Sequence, residues 1–144
     1  MTSPLAMTTD EREQFLADVH IAVLAVAHGG RAPLAIPVWY RYRPGGVVEI
    51  STSASSVKVD ALRATGQAAL CVQREQPPYA YVTVAGPVTF GDLADDDRLD
   101  LAVRYLGEEM GRRFVESSPD IDNLLVMLTP QRWHTTDYAK LPAF

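Results

Sequence analysis

The sequence has little of the chemistry that disulfides and metal sites need, with one cysteine and three histidines among 144 residues. The single Cys71 excludes an internal disulfide and any zinc or iron–sulfur site built from several cysteines. No apolar run is long enough to cross a membrane, and the first nine residues lack the basic start and apolar stretch of a signal peptide. We therefore expect a cytoplasmic protein with no metal and no membrane partner.

Basic residues are also in the minority, since 13 Lys and Arg against 18 Asp and Glu leave a net charge of −5. A nonspecific nucleic-acid binder needs a basic face that neutralises phosphates. We expect no nucleic-acid partner, although a locally basic pocket for a small anion is allowed. The length and the 47% content of hydrophobic residues predict one domain, residues 1–144, that needs no disulfide or metal to fold.

The common catalytic signatures are absent from the sequence. It contains no glycine-rich nucleotide fingerprint, no phosphate-binding loop ending in Gly-Lys-Ser/Thr, no Gly-x-Ser-x-Gly and no pair of histidines at metal spacing. His20, His28 and His134 are scattered, and we interpret them as surface or turn residues. Cys71 lies in an apolar strand and is interpreted as a core thiol. The sequence therefore leaves the catalytic residues unknown.

Hydrophobic periodicity predicts a mainly β protein, with about six or seven antiparallel strands and two or three inserted helices. A capping box at Thr8 and Glu11 opens a helix that ends near His20. Further helices are predicted from Ser55 or Ser56 to Gly66, and from a cap at Asp92 and Asp95 to about Phe114. The predicted strands are 21–27, 32–43, 47–53, 68–74, 79–90, 123–129 and 132–138. Sequential pairing of such strands favours a closed or nearly closed barrel.

Three of these strands carry more specific expectations. The continuous apolar run 21–27 is typical of a strand that is covered on both faces. Pro33 and Pro37 cannot donate ladder hydrogen bonds, so at least part of the strand 32–43 is expected at an edge. The same strand is expected to pair with 47–53 through the turn Pro44-Gly45-Gly46. The long strand 79–90 is expected to bend at Gly86-Pro87.

The joint between the strand 47–53 and the following helix is a candidate anion site. Hydroxyl groups, a helix N-terminus and a cation lie together between Thr52 and Lys58. A phosphate needs this combination of free backbone N–H groups, a favourable helix dipole and a charged donor. The alternative is that Ser55 or Ser56 only caps the helix and that Lys58 is solvated.

The strand around Trp39 is a candidate platform for a flat ring. A strand interrupted by Pro37 offers an aromatic side chain and an unpaired backbone edge, which suit a heteroaromatic ligand. The alternative is that Trp39 fills a core or a dimer interface. Tyr79 and Tyr81 share one face of their strand and could equally be interface aromatics.

Eight short segments follow one another along the chain: Ala22-Val23-Leu24-Ala25-Val26, Pro37-Val38-Trp39-Tyr40, Ser51-Thr52-Ser53, Ser56-Val57-Lys58, Pro78-Tyr79-Ala80-Tyr81-Val82, Val84-Ala85-Gly86, Arg104-Tyr105-Leu106-Gly107 and Pro130-Gln131-Arg132-Trp133. In this order and spacing, they resemble the flavin/deazaflavin oxidoreductase superfamily, which is related to pyridoxamine 5′-phosphate oxidase. Within that superfamily the sequence looks most like the actinobacterial branch that uses the deazaflavin coenzyme F-420.

The resemblance implies an antiparallel split β-barrel of six or seven strands, of the FMN-binding type, that forms a homodimer with a cofactor in each of two interface grooves. It implies that Ser56 and Lys58 hold the cofactor phosphate. The stretch Ala54-Ser55-Ser56 lacks the second basic residue of many relatives, so hydroxyls, backbone N–H groups and Arg63 or a strand arginine would assist. The other implied cofactor-binding residues are Pro37, Val38, Trp39, the backbone of Ile50, Ser51, Thr52 and Ser53, and then Gln73, Arg74 and Tyr79 reaching in from the partner subunit.

The implied activity is hydride transfer from reduced F-420 to a small organic acceptor, with solvent, Tyr79 or Tyr81 as the proton donor. This chemistry is carried by the cofactor, which explains the absence of a catalytic triad. The first alternative is an FMN-dependent oxidase or flavin reductase like pyridoxamine 5′-phosphate oxidase. The second is a non-enzymatic flavin- or haem-binding protein, in which His20, His28 or His134 would face the groove. The acceptor cannot be chosen from the fold.

Overall fold

A computed structural model describes residues 3–118 and 122–143 of the chain. The described helices are α1 (Thr9–Ala17), α2 (Val57–Thr65), α3 (Asp95–Leu106) and α4 (Glu108–Ser117), and a 3₁₀ turn spans Tyr138–Lys140. The described strands are β1 (Ala22–His28), β2 (Arg31–Val38), β3 (Arg41–Tyr42), β4 (Val48–Ser53), β5 (Gln67–Arg74), β6 (Ala80–Asp92), β7 (Asn123–Leu128) and β8 (Arg132–Asp137). No helix in the described part of the chain is both long and apolar enough to cross a membrane.

The described strands form one antiparallel sheet in the order β2-β1-β5-β6-β7-β4-β3, and β8 pairs with β6 beside this path. The sheet has eight strands within the described residues, one more than the largest expected number. It ends at β2 and β3, so the barrel is not closed. The mainly β architecture with inserted helices is confirmed.

The long strand β6 joins the two halves of the sheet. Its first part pairs with β8 as far as Ala85, and its last part pairs with β7 from Val88 onward. The change of partner falls at Gly86 and Pro87, where the bend was expected. A Cβ atom on Gly86 would overlap the carbonyl oxygen of Thr129, so the close approach of the two strands requires glycine at this position.

The sheet curls around a hydrophobic core that contains side chains from the strands and from the helices α1 and α2. Alternate residues at the end of the segment 32–43 face this core, since Val38, Tyr40 and Tyr42 are buried. The helix α2 contributes Leu62, which is fully buried. The largest fully buried side chains are Tyr40, Leu16, Leu24, Ile50, Leu62, Leu70, Leu128, Val48, Val59, Val72, Val82 and Val84.

The strand 32–43 is not continuous, which corrects the prediction. It breaks at Trp39 and Tyr40, so β2 pairs with β1 and only the short β3 pairs with β4. The expected edge position is confirmed, because β2 has β1 as its one neighbour in the sheet. The two proline nitrogens of β2 therefore lie in a strand that leaves one side unpaired.

The strand β1 is covered on one face only by the described residues, contrary to the prediction. Its burial alternates, with Leu24 at 1% exposure and Val23 at 40%. Cys71 pairs with Val23 on the same outer face and is partly exposed, so it is not a core thiol. The apolar run of β1 therefore exceeds what the core of one chain requires.

Local capping signals place the start of α1 and both ends of α2 correctly, and they misplace the other predicted helix ends. Thr8 and Glu11 form the expected capping box, but α1 ends at Ala17, before His20. Ser56 caps α2, which ends at Gly66 in the left-handed conformation. The third predicted helix is two helices, because Gly107 adopts φ 86° and interrupts it. Its N-cap is Ala94, not the predicted aspartates.

Candidate functional site

Two adjoining cavities lie where β2, β4, α2 and the α3–α4 pair meet. The first, which we call the Lys58 cavity, has a volume of about 370 Å³ and is lined by Ile21, Pro37, Val38, Trp39, Ser51, Thr52, Lys58 and Phe114. The second, which we call the Arg98 cavity, has a volume of about 270 Å³ and is lined by Trp39, Ser51, Arg98, Leu101, Phe114, Ser118 and Asn123. Trp39, Ser51 and Phe114 belong to both, so the two cavities share a wall.

Half of the predicted site residues line the Lys58 cavity. They come from two separate segments, the end of β2 and the end of β4 with the start of α2, and the fold brings them together: Pro37, Val38, Trp39, Ser51, Thr52 and Lys58. Ile21 and Phe114 were missed. Ile21 belongs to the apolar run before β1, and the irregular pattern of α4 gave no sign that Phe114 points toward Trp39.

Lys58, in the first turn of α2, brings the N-terminus of this helix beside the Lys58 cavity. Ser56 caps the helix, its Oγ accepting a hydrogen bond from the N–H of Val59 at 3.4 Å. The N–H groups of Val57 and Lys58 donate to no acceptor within residues 3–118 and 122–143. The chain has more acidic than basic residues, yet no carboxylate of those residues pairs with the Lys58 ammonium. This end of the cavity can therefore hold an anion.

Three other predicted residues lie beside the cavity but use their side chains elsewhere. Ile50 points into the core and is 1% exposed. The Ser53 hydroxyl donates to Oδ1 of Asp122 at 2.8 Å. Hydrogen bonds from Ser53 and Ser55 hold the pKa of the Asp122 carboxyl below its usual range. The Ser53 and Ser56 hydroxyls thus serve the loop and the helix cap within one chain.

The remaining predicted residues line neither cavity. Gln73 and Arg74 end β5, and Arg74 donates from Nε to the carbonyl of Pro78 at 2.7 Å. Tyr79 precedes β6 and is 51% exposed. Arg63, which was expected to assist as an alternative to a strand arginine, places its guanidinium over the ring of Phe90 at 4.2 Å. Among the described residues of one chain, Lys58 is therefore the one basic residue that lines this cavity.

Aromatic stacking fixes Trp39 between the cavities. Its ring is parallel to that of Tyr105, with centroids 5.0 Å apart and an angle of 8° between the planes. Phe114 contacts Trp39 at 5.4 Å in a tilted arrangement. Gly111 allows α4 to approach α3, because a Cβ atom there would lie 2.8 Å from the nitrogen of Val103. The α3–α4 pair thus holds the aromatic wall in place.

The Tyr105 hydroxyl also explains the break between β2 and β3. It accepts a hydrogen bond from the N–H of Tyr40 at 3.0 Å. Its own proton lies within reach of the carbonyls of His20 at 2.7 Å and Tyr40 at 3.1 Å. A side chain from α3 therefore replaces the strand partner that Tyr40 would otherwise need.

None of the three histidines lines either cavity. The His20 ring stacks on Phe15 at 4.6 Å, and its Nε2 lies 2.9 Å from the carbonyl oxygen of Phe15. Burial lowers the pKa of His20 below its usual value. His134 lies on the outer face of the sheet, where its Nε2 is 3.2 Å from the Tyr81 hydroxyl. Within the described residues no group of three potential ligands could hold a metal ion.

Comparison with known proteins identifies the fold. No protein-family model and no curated protein matches the sequence. A conserved hypothetical protein from Mycobacterium tuberculosis is similar in structure, with a TM-score of 0.78 and 17% identity over 98% of this chain and 91% of that chain. An F420 reductase has a TM-score of 0.68 and 20% identity over 85% of this chain and 94% of that one.

A candidate pyridoxamine 5′-phosphate oxidase from Listeria innocua has a TM-score of 0.67 and 11% identity over 88% of this chain and 96% of that one. The chain has the split-barrel fold of pyridoxamine 5′-phosphate oxidase-like proteins. At identities of 11 to 20%, the split-barrel likeness extends to the fold and not to a particular activity.

The Tyr105 hydroxyl can be tested by replacing Tyr105 with Phe. The variant keeps the ring that stacks on Trp39 but leaves a buried backbone N–H without its partner, so we expect it to lose about 1–3 kcal/mol of unfolding free energy. Denaturant unfolding followed by tryptophan fluorescence measures this loss. Tyr138→Phe is the control, since the Tyr138 hydroxyl makes no hydrogen bond with the described residues. Equal stability of the two variants would contradict the assignment.

Proposed function

We propose that the chain is an oxidoreductase that binds the deazaflavin coenzyme F-420 in the Lys58 cavity and transfers hydride to a small organic acceptor. The observation that carries the proposal is that a free cation, a helix N-terminus and an aromatic wall line one cavity. We also propose that the chain acts as one cytoplasmic cofactor-binding domain.

The electrostatics of the cavity fit the anionic tail of such a cofactor. Its described lining holds one cation, Lys58, and no carboxylate. A phosphate there would accept a charge-assisted hydrogen bond from Lys58 and hydrogen bonds from the free N–H groups of Val57 and Lys58. An anion at this point would also remove the unfavourable placement of a cation at a helix N-terminus.

The opposite end of the cavity fits a planar ring. Pro37 and Val38 offer apolar surface at a strand edge, and Trp39 presents a rigid aromatic side chain. Ser51 and Thr52 line the same cavity. A flat heteroaromatic ring could contact these apolar groups while its edge takes hydrogen bonds from the main chain.

When bound, the reduced cofactor supplies a hydride that adds to one carbon of an activated double bond, and a proton from solvent or a tyrosine completes the reduction. The chain has three tasks in this chemistry. Lys58 and the start of α2 would anchor the cofactor, Trp39 and Val38 would orient its ring, and Phe114 with Ile21 would narrow the access of water. No catalytic triad is required.

FMN is the first alternative cofactor, because its phosphate and flat ring would use the same groups. An FMN-bound protein would act as an oxidase or a flavin reductase, and direct comparison of the two cofactors in one titration distinguishes the two proposals. Haem is less well supported, since none of the described histidines lines the cavity.

We propose in addition that two copies pair through the outer face of the sheet. Ala25 faces Ala69 across β1 and β5, and Ala69 faces Ala85 on β6. Val23 and Cys71 extend this flat apolar surface. Covering it with a second copy would explain the uninterrupted apolar run of β1 and would let Gln73, Arg74 and Tyr79 approach the cofactor of the partner.

Lys58→Ala tests the cofactor site. The substitution removes the charged donor, so we expect the Kd for F-420 to rise about tenfold or more, as is typical of a hydrogen bond to a charged group. Fluorescence titration with F-420 and with FMN measures both affinities. Lys140→Ala is the matched control, because the second lysine pairs with Glu11 at 2.8 Å, away from the cavity.

Two results would refute the cofactor assignment. One is that neither F-420 nor FMN binds the wild-type protein. The other is that Lys58→Ala and Lys140→Ala bind the cofactor equally well. Tighter binding of FMN than of F-420 would favour the first alternative.

Ala25→Glu tests the homodimer. A carboxylate placed in the centre of the apolar sheet face would be buried without a partner, so we expect the dimer to dissociate. Sedimentation velocity measures the oligomeric state. Ala64→Glu, which adds the same charge to the exposed side of α2, is the control. A wild-type protein that sediments as a monomer would contradict the proposal.

A further inference from the structure

We propose that the Arg98 cavity is the acceptor site and that the acceptor is a small carboxylate with an apolar body. This inference rests on the proposed function, because it places the acceptor next to the cofactor. The shared wall of Trp39, Ser51 and Phe114 supports that placement, since a molecule in either cavity would contact the same side chains.

Arg98 is the group that would recognise the carboxylate. It lies in the first half of α3, and one terminal nitrogen of its guanidinium donates to the carbonyl of Ser118 at 2.9 Å. A guanidinium has five N–H donors. This contact uses one of them to orient the group, and the other donors can bind a ligand. No carboxylate of residues 3–118 or 122–143 lies within ion-pair distance of Arg98.

A second arginine, which contacts the same helix, differs from Arg98 in its ion pairing. Arg41 lies nearby and pairs with Glu49 at 3.1 Å, with Asp97 at 2.5 Å and with Asp100 at 3.4 Å. Its charge is thus neutralised within the protein. Arg98 follows Asp97 directly, yet the described acidic residues leave it available for an anion from outside.

The rest of the lining specifies the body of the ligand. Leu101 is 3% exposed and, with Phe114 and Trp39, forms an apolar surface. Asn123 and Ser118 add uncharged polar groups at the rim. A ligand with one anionic end and an apolar body matches this lining, and a highly charged molecule does not.

The division of charge between the two cavities favours a carboxylate over a second phosphate. A planar guanidinium pairs with either group through two parallel hydrogen bonds, and the Arg98 cavity of about 270 Å³ is smaller than the Lys58 cavity. The phosphate already has a helix N-terminus and a lysine in the other cavity. Lys58 would therefore bind the cofactor phosphate, and Arg98 would bind the carboxylate of the acceptor.

Benzoate and its neutral isostere benzamide test this assignment. Calorimetric titration of the full chain, with and without cofactor, measures the Kd of each probe. We expect benzoate to bind more tightly than benzamide, and we expect Arg98→Gln to raise the benzoate Kd about tenfold or more while leaving benzamide unchanged. Arg98→Lys keeps the charge without the two-pronged geometry and should restore part of the affinity.

Arg112→Gln is the control, because Arg112 is exposed on α4 and pairs with Glu108 at 2.6 Å. Equal binding of benzoate and benzamide by the wild-type protein would overturn the inference. It would also be overturned if Arg98→Gln left the benzoate Kd unchanged, or if it weakened cofactor binding as much as Lys58→Ala does. If benzoate binding depends on Arg98 but no flavin binds, the proposed function fails and the carboxylate site stands.

Discussion

The hydroxyl of Tyr105 binds the backbone at the interruption between β2 and β3, and the candidate site depends on this contact. By taking the N–H of Tyr40, it releases Trp39 from the sheet ladder. The ring of the same tyrosine then supports Trp39 from one side. Without this break, Trp39 would be one more alternating strand residue. With it, the indole lines both cavities.

Charge gives these cavities their chemical character. The chain carries an excess of acidic residues, yet the described lining of each cavity holds one cation and no carboxylate. Lys58 stands at a helix N-terminus and Arg98 stands on an apolar surface, so the two positions favour different anions. We propose that this difference lets the Lys58 cavity select the cofactor and the Arg98 cavity select the acceptor.

The sequence was sufficient where structure is determined locally. The cap of α1 and the cap of α2 depend on neighbouring residues, and both were predicted correctly. The break at Trp39 was not, because it requires a tyrosine 65 positions later in the chain. Phe114 was missed for the same reason, although Gly107 could have signalled that one helix ends and another begins. The roles of Gln73, Arg74 and Tyr79 depend on a second copy and stay predictions.

A crystal structure of the protein with bound F-420 tests the central claim most directly. We predict that the cofactor phosphate lies at the start of α2, within hydrogen-bond distance of the Lys58 ammonium and the N–H groups of Val57 and Lys58. We also predict that the ring lies beside Trp39. A phosphate bound elsewhere, with Lys58 pointing into solvent, would contradict the account.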